Sequence, residues 1–257
     1  MDGKKKLIVI LTFEKNPIAA DLFVNIYNKY NAKIIYTRRC GFLGLDSLFK
    51  YFRRRRGIRW LLFDLLSLFA KAHYKIDHLP AKGWHELQSE YDDDFIAVED
   101  HNSQINKSIL DKLKPELGVL VGTPLIKPCI FNMPKYGMVN LHQDDLEIIR
   151  GAPAAFWEYQ MGLSKMCITV HSVVERFDAG NIINRKCFSI NEDNHFILSK
   201  IRANLLSADL ISTSIDDVLS RKGGRTPSKL GELKTVPSYI LLFREFLRLF
   251  KYKLLTV

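Results

Sequence analysis

The chain has 257 residues, 47% of them hydrophobic, enough to bury one main core with a small C-terminal extension. Composition gives no sign of disorder or of a collagen-like repeat, and no internal period of the kind a solenoid needs is present. A formal charge of +10 draws anions (phosphate groups, nucleic acid or acidic lipid headgroups) without choosing among them.

Met1-Asp2-Gly3-Lys4-Lys5-Lys6 followed by Leu7 to Leu11 imitates a secretory signal, but the apolar part is short and Glu14-Lys15-Asn16-Pro17 offers no small-residue cleavage site. A buried first strand over Lys6 to Leu11 is predicted instead. Pro17 to Tyr30 then reads as a helix, with Leu22, Ile26 and Tyr30 at helical spacing. Between them, Thr12-Phe13-Glu14-Lys15-Asn16 contains no glycine, which disfavours a dinucleotide enzyme with its Gly-rich phosphate loop. Lys33 to Thr37 looks like the next strand. A basic patch follows at Lys50, Arg53 to Arg56 and Arg59, and the apolar run from Trp60 to Ala72 is interrupted by Asp64 and Lys71. That run falls short of the roughly 20 residues a membrane span needs.

The alternation continues with a strand over Phe95 to Val98, a helix over Gln104 to Leu113, and strands over Leu117 to Val121 and Met138 to His142. Strand and helix in regular succession mean an α/β fold, a doubly wound and mostly parallel sheet with helices on both faces. Such sheets bind ligands outside the carboxyl ends of their strands, which directs attention to the loop after Val121 and to Asn140 through His142.

The later half departs from alternation. Met166 to Val174 and Asn181 to Ile190 read as strands separated by a turn at Asp178-Ala179-Gly180, and a long helix over His195 to Leu219 follows Asn191-Glu192-Asp193-Asn194, which supply capping residues. Arg221 to Pro237 reads as a loop containing at most a short hairpin, ahead of a last helix. The expected division is a catalytic domain over 1–220 and a loop with an amphipathic helix over 221–257. That helix sets Leu242, Phe243, Phe246, Leu247, Phe250 and Leu254 against Arg244, Arg248 and Lys251, and Arg53 to Arg59 beside Leu61, Leu62, Leu65, Leu66 and Phe69 repeats the layout. Docking on the protein's own core explains both, and peripheral contact with an anionic membrane is the alternative.

Cys40, Cys129, Cys167 and Cys187 show neither C-x-x-C spacing nor a nearby His cluster, which argues against zinc and against a disulfide framework and fits small buried hydrophobes in a reducing compartment.

In Val139-Asn140-Leu141-His142 the amide and the imidazole are two apart on a strand and so share one face. Taken alone, the tetrapeptide fits a strand-end turn as well as a site. The signal sharpens downstream. Arg150 and Gly151 stand eight and nine residues after His142, Trp157 follows, Thr169-Val170-His171 lies beyond, and Asp178-Ala179-Gly180 begins seven residues after His171. This ordered set, with Val119 to Leu125 before it, resembles the formyltransferases that use 10-formyltetrahydrofolate, specifically from about Leu117 to Ile190 and only architecturally before that. The family usually carries Pro-Ser-Leu-Leu-Pro after the catalytic His, where this chain has Gln143-Asp144-Asp145-Leu146-Glu147.

The resemblance implies a Rossmann-like formyltransferase fold without a metal, with Asn140, His142 and Asp178 catalytic. It places the folate near Gly122, Thr123, Pro124, Leu125 and Gly180, and the substrate near Arg150, Gly151 and His171, with Trp157 packed on its helix. Amine attack on a formyl carbon puts charge on oxygen, which Asn140 and an N–H of His142 suit, while Asp178 suits orienting the imidazole or relaying its proton. Arg150 has two open readings, an anion ligand or a salt bridge to the acidic loop. The short tail looks more like the enzymes acting on nucleotide-linked amino sugars of surface polysaccharides than like the transfer RNA enzyme with its additional domain, and implies a cytoplasmic protein, at most peripheral to the inner face of the membrane, that could form a homo-oligomer. A compact transfer RNA formyltransferase, a formyltetrahydrofolate hydrolase and a non-catalytic folate-binding protein remain alternatives.

Overall fold

The computed structural model of the protein describes residues 5–38, 57–75 and 82–251. Its centre is a seven-stranded sheet in the order β3-β2-β1-β4-β5-β7-β8. Strands β1 (Leu7–Phe13), β2 (Asn31–Thr37), β3 (Phe95–Val98), β4 (Leu117–Val121) and β5 (Met138–His142) run parallel, and β7 (Lys165–Ser172) and β8 (Ile182–Ser189) add antiparallel pairs at one edge. The fold is therefore the mostly parallel α/β sheet expected from the alternation.

β1 shows why both faces are covered. Ile8, Val9, Ile10 and Leu11 are all fully buried, with Ile8 and Ile10 in one core cluster and Val9 and Leu11 in another. The first cluster takes in α1 (Pro17–Tyr27) and α7 (Phe196–Leu219), and the second takes in α4 (Gln104–Leu113) and α5 (Pro128–Phe131). Alternate side chains of a parallel strand thus find apolar helices on opposite sides. Asn16 caps α1 by accepting the Ile18 N–H at 3.1 Å, with Pro17 in the first helical position. α1 stops at Tyr27, short of the expected Tyr30, whose hydroxyl instead donates to Asp216 on α7. The cap of α7 is His195, whose Nδ1 accepts the Ile197 N–H at 3.2 Å, rather than the preceding Asn191 to Asn194. Asp193 is committed to Arg202 and Ser199.

A third apolar cluster joins α2 (Ile58–His73), α6 (Phe156–Gln160) and α8 (Tyr239–Lys251) through Phe63, Leu66, Phe156, Phe196, Leu242 and Leu249. The segment before α8 is the loop expected, with no hairpin of its own among the described residues. Instead β9 (Glu232–Lys234) pairs in parallel with β6 (Ile149–Gly151), a partner too distant in sequence for a local pattern to reveal. α3 (Trp84–Glu90) completes the described α-helices, and a single 3-10 turn over Asp92–Asp94 follows it.

The cysteines also depart from expectation. Cys167 and Cys187 stand opposite each other in the β7–β8 register and are joined by a disulfide, and Cys129 is exposed rather than buried. Sequence spacing does not show cross-strand opposition. Cys40 lies outside the described residues.

Candidate active site

β5 ends beside β4 in the parallel run and beside β7 in the antiparallel one, at the junction where the sheet changes direction. Asn140 and His142 project from one face of β5, while Val139 and Leu141 enter the main core. The β5–β7 register sets Asn140 opposite His171 and His142 opposite Thr169. Asn140 Nδ2 accordingly lies 3.1 Å from His171 Nε2. Since His171 Nδ1 is 2.9 Å from the Ser172 carbonyl oxygen, which only accepts, Nδ1 carries the proton and Nε2 receives the Asn140 N–H.

The same reasoning fixes the His142 tautomer. Its Nε2 is 3.1 Å from the Ile149 carbonyl oxygen and therefore carries the proton, leaving an Nδ1 lone pair 3.7 Å from Asp178 Oδ2. Ile149, not Asp178, orients the neutral ring. Burial holds the His142 pKa below the ordinary value, although the nearby Asp178 charge pulls upward. The resting ring is a neutral base with a carboxylate placed to receive the imidazolium.

Asp178 reaches this position from the β7–β8 loop with φ 43°, a left-handed backbone that Asp tolerates better than most residues. Gly151 donates its N–H to Asp178 Oδ2 at 3.1 Å, and His171 Nε2 is 3.6 Å from Oδ1. Burial alone would raise the carboxyl pKa, but the contacts from His171, His142 and Gly151 together hold it below the usual carboxylate value. The second N–H of Asn140 points at Asp178 Oδ1 from 3.5 Å, the limit of a hydrogen bond, and is the donor most readily yielded to a ligand oxygen.

The remaining expected residues divide by role. His171 is buried with both ring nitrogens engaged inside the protein, Nε2 with the Asn140 amide and Nδ1 with the Ser172 carbonyl. Arg150 does not bridge to the acidic loop. Its Nε donates to the Gly231 carbonyl at 2.8 Å and Nη1 to that of Phe177 at 3.0 Å, tying β6 to the loop that carries Asp178. Gly151, at φ 96°, runs so close to β9 that a Cβ would meet the Lys234 oxygen at 2.2 Å. Gly180 is equally constrained, since a Cβ there would lie 1.7 Å from the Ser172 oxygen. Trp157 is half-buried and donates from its indole to the Thr235 carbonyl, while Phe156 fills the core beside it.

Gly122, Thr123, Pro124 and Leu125 leave the carboxyl end of β4, the strand next to Asn140. Gly122 (φ 69°) packs so tightly that a Cβ would lie 2.8 Å from the Phe13 ring, and Leu125 is exposed. Two surface depressions, of about 430 and 360 Å³, are lined by none of Asn140, His142 and Asp178. One is lined by Leu110, Lys114 and Met133 and the other by Tyr136, Val139 and Ile183. No cluster of His, Cys, Asp and Glu suited to a metal occurs among the described residues.

The acidic loop after β5 holds residues that composition alone did not single out. Asp144 is fully buried, accepts the Ala155 N–H on Oδ1 at 3.0 Å, and sets Oδ2 at 3.9 Å from His142 Nε2. Burial, together with the neighbouring Glu158 charge, pushes its pKa well above the ordinary value. Burial likewise raises Glu158 to about 7, against the pull of the Asp145 and Cys167 N–H groups. Glu147 closes the loop by pairing with Arg225 at 2.7 Å and Arg185 at 2.8 Å.

Residues 78–202 match the family described as formyl transferase. A methionyl-tRNA formyltransferase from Thermodesulfovibrio yellowstonii is 36% identical over 131 residues, covering 50% of this chain and 42% of that protein. The chain spans less than half the length of the curated relatives it matches. Among solved structures, a sugar N-formyltransferase from Shewanella sp FDAARGOS_354 superposes with a TM-score of 0.59 at 13% identity, over 95% of this chain and 87% of that one. A 4-N formyltransferase from Francisella tularensis gives 0.58 at 17% identity, over 96% and 88%. At such identities these two likenesses establish the shared fold alone.

Proposed function

We propose that the chain is a formyltransferase, as the match of residues 78–202 to that family supports, and that Asn140, His142 and Asp178 transfer a formyl group from 10-formyltetrahydrofolate to an amine. The observation that carries the proposal is the 3.7 Å approach of Asp178 Oδ2 to the unprotonated Nδ1 of His142, beside an amide whose second N–H is weakly held. The reduced folate supplies the activated formyl carbon and a nitrogen leaving group. The Gly122 to Leu125 loop suits it, joining a glycine with no room for a side chain to an exposed leucine at the carboxyl edge of the sheet.

The protein's own part begins with Asn140, whose N–H stabilises charge growing on an oxygen at the end of β5. His142 takes the proton of the attacking amine at Nδ1, the only ring nitrogen with a lone pair to offer, and gives it up to the departing folate nitrogen. Asp178 faces that nitrogen and stabilises the resulting cation, which burial would otherwise disfavour. The Ile149 carbonyl keeps the ring from turning while the proton moves.

As acceptor we infer the amine of a nucleotide-linked amino sugar, the reading suggested by the fold shared with the Shewanella sugar N-formyltransferase. The same soluble, charged substrates would place the enzyme in the cytoplasm, at the inner face of a membrane where surface polysaccharide is assembled. A second reading, formylation of methionyl-tRNA, has its own support in the 36% identity to the Thermodesulfovibrio protein. Incubation with 10-formyltetrahydrofolate and either a panel of amino-sugar nucleotides or charged initiator tRNA tests both. A formyl mass increment on a sugar nucleotide supports the first reading, an increment on the tRNA alone supports the second, and formate release without an acceptor makes the protein a hydrolase.

A further inference from the structure

α2 and α8 each have two apolar faces, and among the described residues one of each packs into a core cluster while the other is exposed. Phe63, Leu66 and Ala70 of α2 pack against Leu242 and Leu249 of α8 in the third core cluster. An adjoining side of α2 carries Ile58, Leu62, Leu65 and Phe69, at the spacing of a single helical stripe, and all four are exposed. α8 does the same with Ile240, Phe243, Phe246 and Leu247, of which Ile240 is 80% and Phe243 63% exposed. The Phe69 and Phe246 rings meet edge to face with centroids 6.4 Å apart, so the two stripes form one surface. Exposed apolar side chains scattered singly are normal, whereas a joined double stripe of eight is a contiguous patch of the kind that marks a contact surface.

The charge around this surface indicates what covers it. The exposed charged side chains described on the two helices, Arg59, Lys71 and Arg244, are all basic. Glu245, the acidic residue of α8, is turned inward, where it accepts hydrogen bonds from Gln160 and Arg248. A second copy of a chain with a formal charge of +10 would bring like charges together across the contact, while an anionic surface would be attracted to it. The four arginines that precede Gly57 in sequence lie outside the described residues, and the surface is defined without them. No described helix is long and apolar enough to cross a membrane, which leaves contact in the plane of the interface.

We infer that the joint outer face of α2 and α8 is a docking surface for an anionic lipid bilayer, with the two apolar stripes entering the headgroup boundary and the flanking cations meeting acidic headgroups. The inference stands on these two helices and does not require the formyl-transfer reading. The full chain is sedimented with vesicles of phosphatidylcholine with or without phosphatidylglycerol, at low and high salt, beside sedimentation velocity of the protein alone. Binding should require phosphatidylglycerol and be released by salt. Arg59→Ala and Arg244→Ala should each weaken it by about fivefold, and Leu65→Asp combined with Phe243→Asp should abolish it with an unchanged circular dichroism spectrum. Should the double variant lose its fold, the two charge variants still decide the matter. No sedimentation at low salt would overturn the inference, as would vesicle binding unaffected by every variant. A dimer that Leu65→Asp dissociates, without any vesicle binding, would assign the surface to a second copy.

Discussion

The backbone N–H of Gly151 donates to Oδ2 of Asp178 at 3.1 Å, the same oxygen that faces His142. β6 thus acts as a strap behind the β7–β8 loop, and Arg150 tightens it by holding the Phe177 and Gly231 carbonyls. Arg150→Met keeps the aliphatic stem and removes both bonds. Turnover should fall roughly 10- to 100-fold, the scale of an ångström's misplacement of a reacting group, with folate affinity nearly unchanged. Steady-state kinetics and calorimetry check the split, and a rise in KM alone would return Arg150 to ligand binding.

Gly180→Ala tests the other support of Asp178. A Cβ would sit 1.7 Å from the Ser172 oxygen, so the backbone has to move. Thermal unfolding should show a loss of about 1–3 kcal/mol, typical of overpacking, and the displaced Asp178 should lower turnover in the fraction that remains folded. Normal activity at wild-type stability would contradict the geometry.

The pH–rate profile follows from the neutral His142. Burial lowers its pKa from 6.5, so the working form predominates at neutral pH and kcat/KM should fall only on the acid side, as the ring protonates. Asp178 raises the ring's pKa, and so Asp178→Asn should move the acid limb to lower pH while reducing the plateau. A limb that moves upward, or stays in place, would mean that His142 does not sense this carboxylate.

Stability should depend on pH through Glu158 with the opposite sign to the histidines. Its pKa is raised from 4.5 to about 7, so the folded state binds its proton more tightly than the unfolded chain does. That contribution is fully present below 4.5 and is lost as pH rises through about 7. Buried Asp144 acts in the same direction. His195, lowered from 6.5 to about 4, contributes stability above 6.5 that is lost as pH falls towards 4. In Glu158→Gln, where Oε1 can still accept the Asp145 N–H, the fall in Tm between pH 4.5 and 7 should flatten relative to wild type. An equal fall in both proteins would place the effect elsewhere.

What could be read from the sequence was whatever depends on local spacing. Alternation along β5 puts Asn140 and His142 on one face, and apolar runs such as Leu7–Phe13 and Leu117–Val121 are the buried strands they look like. What escaped depends on register and on tertiary proximity. That His171 stands opposite Asn140, and Cys167 opposite Cys187, follows from how β7 pairs with its neighbours. The pairing of β9 with β6 is equally non-local, and it gives Arg150 the Gly231 carbonyl in place of an acidic partner. The amphipathic readings of the two basic helices were half of the answer, since Leu242 and Leu66 are buried while Phe243 and Leu65 are exposed. Phe250 and Leu254 of that reading lie outside the described side chains.

The central claim is that Asn140, His142 and Asp178 act on one proton transfer and one developing charge. Single-turnover formyl transfer, with circular dichroism as the folding control, tests it most directly in Asn140→Ala, His142→Ala, Asp178→Asn and the double variant of the last two. Asn140→Ala should lower the rate by about 100- to 1000-fold and His142→Ala by about 100- to 10,000-fold. The double variant should be far less damaged than the product of its singles, because a base without its carboxylate and a carboxylate without its base fail at the same step. Multiplicative losses in the double variant would separate the two residues, and near-wild-type rates in His142→Ala and Asp178→Asn would remove both from the chemistry.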